Sequence, residues 1–319
     1  MTIERANRHN IGDLQQMQSL PLEAKIIMSK RRIREWYDYW DGEVYVSFSG
    51  GKDSTVLKHL VETTSGVYDV PIVFVDTGLE YPEVRKFATI GADVVLRPEM
   101  RFDEVIKKYG YPVASKEVAQ KIYELRNYNL TAQYRDELLT GANGRKRRKI
   151  PEKWKILLDA PFEVSRKCCD VMKKHPAKKY ERETGRKAIL GTMASESASR
   201  MQDWIRHGCN AFEDKKRASS KPLSFWTEQD ILEYLRRYNL PYASVYGDIV
   251  ETETGLQTTG CNRTGCMFCM FGCTQDGSPN RFQRMKETHP RQYDYCMRPL
   301  DKKGLGLKEV LEYIGVPYE

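Results

Sequence analysis

Long apolar runs are missing from this 319-residue chain: no stretch approaches the eighteen or so consecutive apolar residues of a membrane-spanning helix. The opening Met1-Thr2-Ile3-Glu4-Arg5 also lacks the apolar core of a secretion signal. Both absences argue against a membrane partner and predict a cytoplasmic protein. Without a secretory route the eight cysteines are not read as a disulfide framework, which leaves metal or redox chemistry. There is no internal repeat and no low-complexity tract, so neither a solenoid nor a disordered array is expected. Charge of one sign is only slightly in excess. The 52 Lys and Arg stand against 44 Asp and Glu, and the resulting +8 could steer a polyanion without identifying one. With 40% hydrophobic and 11% aromatic residues, the chain suits one large α/β unit with an added region, or two domains.

The strongest local signal is Ser49-Gly50-Gly51-Lys52-Asp53-Ser54. It follows the β-branched and aromatic run Val44-Tyr45-Val46-Ser47-Phe48 and precedes a helical pattern from Thr55 to Thr63. Two adjacent glycines let successive backbone N–H groups converge, and the helix that follows turns its positive end toward an anion. A nucleotide phosphate is the expected guest. The Gly-x-x-x-x-Gly-Lys-Ser/Thr spacing of the Walker loop is absent.

Around this loop the chain alternates between strand and helix patterns. An amphipathic helix is expected over 22–40, a second buried strand at Val70-Pro71-Ile72-Val73-Phe74-Val75 ending in Asp76-Thr77-Gly78, and a third over 92–96. Ala188-Ile189-Leu190-Gly191-Thr192 reads as another strand, and Thr227 caps a helix that continues to Leu235. A closing helix is expected over 307–314. Such alternation predicts an α/β fold with a parallel sheet, helices on both faces, and ligands beyond the carboxyl ends of the strands. Residues 113–155 are helical in pattern but charged, and read as an insertion. They contain Gly144-Arg145-Lys146-Arg147-Arg148-Lys149, followed by Lys153 and Lys155: a solvated mobile loop or a phosphate-backbone contact. The expected organisation is a helical segment over 1–40, a nucleotide-binding domain over 41–250 and a cysteine-rich region over 251–319.

The loop resembles the PP-loop of ATP pyrophosphatases, which split ATP between its α and β phosphates. The order of motifs resembles the phosphoadenosine-phosphosulfate (PAPS) reductase family within that superfamily, across roughly residues 40 to 275. The matching residues are Ser49 to Ser54, Val75 to Pro82, Cys168-Cys169, Gly191-Thr192 with Glu196-Ser197 and Arg200, and Lys221-Pro222-Leu223 with Trp226-Thr227 and Asp230. The resemblance implies a Rossmann-like sheet of the adenine-nucleotide α-hydrolase type. Two departures point to a branch. The reductases usually lack the Gly-Lys-Asp-Ser end of the loop, which this chain keeps, and they carry a C-terminal Glu-Cys-Gly-Leu-His motif, whereas this chain ends Gly315-Val316-Pro317-Tyr318-Glu319. The ATP-using relatives with cysteine clusters, DNA phosphorothioation proteins and tRNA thiolases, fit better.

What the resemblance implies is an ATP-dependent sulfurtransferase. ATP and Mg²⁺ would bind on Ser49, Gly50, Gly51, Lys52, Asp53 and Ser54 with Asp76, Thr77, Gly78, Gly191 and Arg200, and Lys116 is a further candidate cation. Lys52 would balance phosphate charge, while Asp53 and Asp76 position Mg²⁺ or the ribose. Cys168, Cys169, Cys266 and Cys269 resemble the set that holds a [4Fe–4S] cluster. Zinc is the alternative, and the local set Cys261, Cys266, Cys269 and Cys273 competes for the metal. Cys261 or Cys273 would then serve as persulfide carrier or nucleophile, favoured by a basic neighbour such as Arg263. Cys209 and Cys296 read as structural. The expected acceptor is a nucleic acid, tRNA or DNA, with a cysteine desulfurase or other sulfur donor as partner and a homodimer as the assembly. The alternatives are a sulfonucleotide reductase that forms sulfite and a non-catalytic nucleic-acid-binding module.

Overall fold

The computed structural model describes residues 8–213 and 218–319; Met1 to Arg5, the stretch read for a signal, lies outside them. The chain divides into two compact units. Unit 1 comprises residues 1–97 and 176–264, and unit 2 comprises 98–175 and 265–319. In chain order the strands are β1 (Val44–Phe48), β2 (Ile72–Val75), β3 (Val94–Leu96), β4 (Val113–Ala114), β5 (Lys187–Leu190), β6 (Asn210–Ala211), β7 (Ser219–Ser220), β8 (Ile249–Thr252), β9 (Gly255–Thr258) and β10 (Met270–Phe271).

Unit 1 is built on a six-stranded sheet in the order β3-β2-β1-β5-β7-β6, parallel except for the β6–β7 pair. The fold is therefore α/β with a mostly parallel sheet, as expected. Val46 is in register with Ile72 on one side and Ile189 on the other. Period-2 alternation sorts β1 between two cores. Val44, Val46 and Phe48 join a large cluster that holds Trp36, Leu57, Leu60 and Trp204 from the flanking helices and Trp226 from the segment before the helix Glu228–Arg237. Tyr45 faces the opposite, thinner cluster with Val73, Ala188 and Tyr180 of the helix His175–Thr184.

The expected helix over 22–40 spans Leu22–Tyr39 and is clamped from within. Lys25 is 2% exposed; its Nζ donates to both Asp230 carboxylate oxygens at 2.7 and 2.9 Å, and Trp226 Nε1 donates to Ser29 Oγ at 2.9 Å. Asp230 also completes the capping box with Thr227 that starts the helix Glu228–Arg237. After the glycine pair of loop 49–54 the helix begins at Lys52, three residues before the position its pattern suggested, and runs to Glu62. The loop's own end forms the first turn.

In unit 2 the charged middle folds into the helices Lys116–Asn127 and Ala132–Thr140, followed by short 3₁₀ turns at Lys146–Arg148 and Glu152–Leu158. It is anchored by Ile150, Trp154 and Leu157, all buried. Parallel pairing of β4 with β10 joins this middle to the C-terminal cysteine loop inside the same unit. Helices Arg281–Thr288, Pro290–Met297 and Leu307–Tyr313 complete it. Among the described residues no helix is long and apolar enough to cross a membrane.

Candidate functional site

β1 lies between β2 and β5, so the chain moves one way across the sheet through β2 and β3 and returns to the other side of β1 as β5. At such a reversal the loops leaving neighbouring parallel strands diverge and open a crevice at their carboxyl ends. Loop 49–54 leaves β1 there. Gly50 has φ +72°, and a Cβ on it would meet Val84 O and Ala88 Cβ, each at 2.7 Å. No side chain fits, which brings the backbone flush against the helix Pro82–Gly91. The loop is closed on itself through Ser54. Its Oγ accepts from Ser49 N at 3.2 Å, donates to Gly51 O at 2.9 Å and lies 3.1 Å from Ser49 Oγ. Gly191, leaving β5, presses on the same turn: its Cβ would stand 3.2 Å from Asp53 O.

Lys52 is 3% exposed, and its Nζ lies 3.0 Å from Glu228, 3.4 Å from Asp53 and 3.2 Å from the Asn262 carbonyl. Burial opposes its charge, but Asp53 and Glu228 outweigh that and raise its pKa above the ordinary lysine value. Lys52 N donates to Tyr246 Oη at 3.3 Å, and that hydroxyl is 2.5 Å from Thr264 Oγ1. Asp53 Oδ1 is buried with no hydrogen-bond partner among the described residues, although Lys52 Nζ stands 3.4 Å away. A buried carboxylate oxygen left in this state is costly unless a cation or donor completes it.

Arg200 pairs with Glu196, which also accepts from Arg263 Nη2 at 2.6 Å. Burial lowers the pKa of the Arg200 guanidinium, Arg263 adds to that, and the nearby Asp53 charge opposes it. Lys52, Asp53 and Arg200 are thus gathered at one end of the sheet. Asp76 leaves β2 at the same edge but is already engaged: Arg85 Nε and Nη2 donate to its two oxygens at 2.7 and 2.8 Å, and Gly78 N donates at 3.2 Å. Arg85 is the main reason its carboxyl is held below the ordinary range. Thr77 Oγ1 turns aside to Glu80 at 2.7 Å, and Gly78 takes φ +71° in open space. Of the two candidate acids, Asp53 has the oxygen that accepts no hydrogen bond, its Oδ1 facing only the Lys52 ammonium at 3.4 Å.

The cysteines divide between the units. Cys261 belongs to unit 1, next to the Asn262 carbonyl that holds Lys52, and its N donates to Val245 O at 2.9 Å. Cys168, Cys169, Cys266, Cys269 and Cys273 all belong to unit 2. Cys168 Sγ and Cys169 Sγ lie 3.9 Å apart on one helical turn. Cys266-x-x-Cys269 forms a tight turn, with Cys269 N donating to Cys266 O at 3.1 Å, and leads straight into β10. The thiols of Cys266 and Cys269 lie within electrostatic reach of Cys168. Within the adjacent pair, the hydrogen bond between the two lowers the Cys169 pKa, helped by Lys116, Lys173 and Lys174, while Cys168 keeps its proton. Lys116, expected near the phosphates, belongs to unit 2 with these cysteines. Arg281, tied to Asp276 and donating to Cys269 O at 2.9 Å, favours the thiolates of Cys269 and Cys273, although burial raises both. Cys273 is buried and pushed up to about 11, so it is a protonated thiol near neutral pH.

Four sulfur donors from two short segments, with Lys116, Lys173 and Lys174 favouring the Cys169 thiolate and Arg281 that of Cys269, are a donor set suited to a soft metal or an iron–sulfur cluster. Among the described residues, no three His, Cys, Asp or Glu side chains are drawn close enough to grip a single metal ion. Cys209 and Cys296 are buried apart from these groups. Glu228, Tyr246, Asn262 and Thr264 had no signal in the sequence. Each reaches Lys52 or the loop only through tertiary folding.

A family model, the phosphoadenosine phosphosulfate reductase domain, matches residues 43–271. The uncharacterized protein MJ0066 of Methanocaldococcus jannaschii is 26% identical over 255 residues, which is 79% of this chain. The chain spans only 41% of that relative's length. Among solved structures, a phosphoadenylyl-sulfate reductase of Candida auris in a phosphate complex aligns over 75% of this chain and 92% of its own, at 14% identity and a TM-score of 0.39. The U34-tRNA thiolase NcsA of Methanococcus maripaludis with its [4Fe-4S] cluster aligns over 69% of this chain and 66% of its own, at 17% identity and a TM-score of 0.32.

Proposed function

From the premise that the chain belongs to the phosphoadenosine phosphosulfate reductase domain family, we propose that it binds ATP on loop 49–54, releases pyrophosphate, and transfers sulfur to the adenylated acceptor, a nucleic acid. The observation that carries this reading is the loop itself. Gly51-Lys52-Asp53-Ser54 opens the helix Lys52–Glu62 at the strand-order reversal, where first-turn amides and the helix dipole favour a phosphate.

The chain's residues divide the work. The triphosphate takes over the cations that Glu228 and Glu196 now hold: Lys52 from the first and Arg200 and Arg263 from the second. Asp53, whose Oδ1 accepts no hydrogen bond, suits Mg²⁺ that accompanies the nucleotide once Lys52 turns to the phosphates. An acceptor oxygen attacks the α-phosphorus, the bond to the leaving pyrophosphate breaks, and AMP leaves when sulfur replaces it. Positioning and charge supply most of the acceleration.

Cys168, Cys169, Cys266 and Cys269 are the residues that would hold the [4Fe–4S] cluster, with zinc as the alternative occupant. When bound, the cluster supplies a site that can carry or release sulfide. Cys261 suits the sulfur-carrying or nucleophilic role better than Cys273, because it neighbours the loop and Cys273 is buried with a raised pKa. A cysteine desulfurase or another donor would load the sulfur.

Lys52→Ala should abolish ATP-dependent pyrophosphate release while leaving iron content and visible absorbance unchanged; undiminished release would overturn the assignment. The family match favours a second reading, a sulfonucleotide reductase. Thiol-dependent sulfite release from adenylyl sulfate without ATP cleavage would establish it.

A further inference from the structure

The formal charge of +8 is not spread evenly. Unit 1 carries 26 Lys and Arg against 26 Asp and Glu, and unit 2 carries 26 against 18. The whole basic excess therefore belongs to the unit that holds the paired cysteines and the Cys-x-x-Cys. Within it, residues 141–155 contain seven Lys and Arg and a single acid, Glu152.

This segment is anchored. Gly141, at φ +80°, ends the helix Ala132–Thr140, and Ile150 N donates to Leu138 O at 2.8 Å. Ile150 and Leu157 are fully buried and Trp154 is 7% exposed, so the apolar side chains point inward and the cations remain outside on a fixed backbone. Cations held in this way lose less conformational entropy when they meet a ligand than cations on a free tail do.

Partial neutralisation leaves a defined set. Arg148 pairs with Glu137 at 2.6 Å and lies over the Tyr134 ring, while Lys149 and Lys155 share Glu152 at 3.3 and 2.8 Å. Arg145 and Lys146 are exposed and make no ion pair with a described residue; Lys153 is exposed and lies over the Trp154 ring, also without a carboxylate partner among the described residues.

We propose that this face of unit 2, centred on Arg145, Lys146 and Lys153, docks the sugar–phosphate backbone of a nucleic acid. The proposal rests on the reading that the acceptor is a nucleic acid and adds where that acceptor is held. A nucleic acid fits better than a lipid surface because the only large apolar side chain exposed among residues 141–157 is Ile156, and one isoleucine does not make the broad apolar face that membrane binding needs. The face is also connected to the cysteines. Arg126, near the end of the helix Lys116–Asn127, donates to Leu157 O at 3.5 Å, and Lys116, at its start, is in electrostatic reach of Cys169. A helix of 12 residues spans about 18 Å, so the docked backbone and the thiols are separated by about that length of rigid scaffold.

The test compares a triple variant, Arg145→Glu, Lys146→Glu and Lys153→Glu, with a control of equal charge change on the same unit, Lys302→Glu, Lys303→Glu and Lys308→Glu. Fluorescence anisotropy with a labelled RNA hairpin and a single-stranded DNA of equal length, without ATP, is followed through a salt titration. The expected result is a slope of log K against log salt shallower by about 2.7 for the duplex hairpin and about 2.1 for the single strand, with the control near wild type. An alanine triple should give the same direction more weakly. Equal losses in both variants, no loss in either, or competition by polyglutamate as effective as by RNA at equal charge would overturn the proposal. Because no ATP is present, lost pyrophosphate chemistry with retained docking would refute the reaction and leave the surface standing.

Discussion

Gly50→Ala tests whether loop 49–54 is a built phosphate cradle and not an ordinary turn. Two costs add at that position. The left-handed backbone, φ +72°, costs an L-residue about 1–2 kcal/mol. The new methyl would also sit 2.7 Å from both the Val84 carbonyl oxygen and Ala88 Cβ on the helix Pro82–Gly91, and overpacking of this kind costs about 1–3 kcal/mol. The sum is about 2–5 kcal/mol, and relaxation would have to move either the loop or the helix. Two neighbouring glycines calibrate it. Gly78→Ala carries the same kind of strain, φ +71°, in open space, so it should cost only about 1–2 kcal/mol. Gly51→Ala has an ordinary negative φ and meets only the Tyr246 and Ser49 hydroxyls at 3.2 and 3.3 Å, so it should change stability little while narrowing the loop. Denaturant melts of the three variants, read beside nucleotide binding, should rank Gly50→Ala well below Gly78→Ala and Gly78→Ala below Gly51→Ala. A Gly50→Ala protein as stable as Gly78→Ala would refute the close approach of loop and helix.

Other outcomes follow from the same geometry. Lys25→Met should destabilise by about 3–5 kcal/mol, because it leaves the Asp230 carboxylate buried without its cation, and Lys25→Met with Asp230→Leu should recover part of that in a chemical melt. The folded-state pKa of Asp76 is depressed, so its contribution to stability is complete above the ordinary aspartate value of about 3.9 and fades as pH falls through the folded value. Arg85→Ala should therefore flatten the acid limb of the stability profile, and an unchanged limb would contradict the pairing. At pH 8 a small alkylating agent should modify half-buried Cys261 well before buried Cys273, whose thiol stays protonated up to about 11; peptide mapping by mass spectrometry reads the order.

The sheet of unit 1 was legible because buried parallel strands appear as continuous apolar runs. β1 and β2 stand out in that way, and the glycine pair between strand and helix marks the loop. The order of motifs also singled out Gly191, which packs on the turn of loop 49–54, and Arg200, which pairs with Glu196. Other features left no local trace. β6 and β7 are two-residue strands made of Asn210, Ala211, Ser219 and Ser220, which carry no strand pattern, so the sixth position of the sheet depends on long-range pairing. The middle of the chain looked like a charged insertion because its anchors lie between and on short turns, Ile150 after the first and Trp154 and Leu157 in the second, with a spacing that is neither that of an α-helix nor that of a strand. Nor could spacing reveal that residues 98–175 and 265–319 form one unit, since a two-strand pairing, Val113 with Met270 and Ala114 with Phe271, links them across the intervening residues 176–264. At the site, Glu228 and Tyr246 reach Lys52 from more than 170 residues away. Arg85 was overlooked for a different reason. It sits nine residues beyond Asp76, one helical turn into the next element, and nothing in its own surroundings distinguishes it from a surface arginine.

The most direct test of the account is iron and acid-labile sulfide content of anaerobically purified protein, measured beside ATP-dependent pyrophosphate release with and without tRNA or DNA. The account predicts about four irons per chain and release that a nucleic acid stimulates. Iron without any ATP cleavage, or zinc in place of iron, would contradict it.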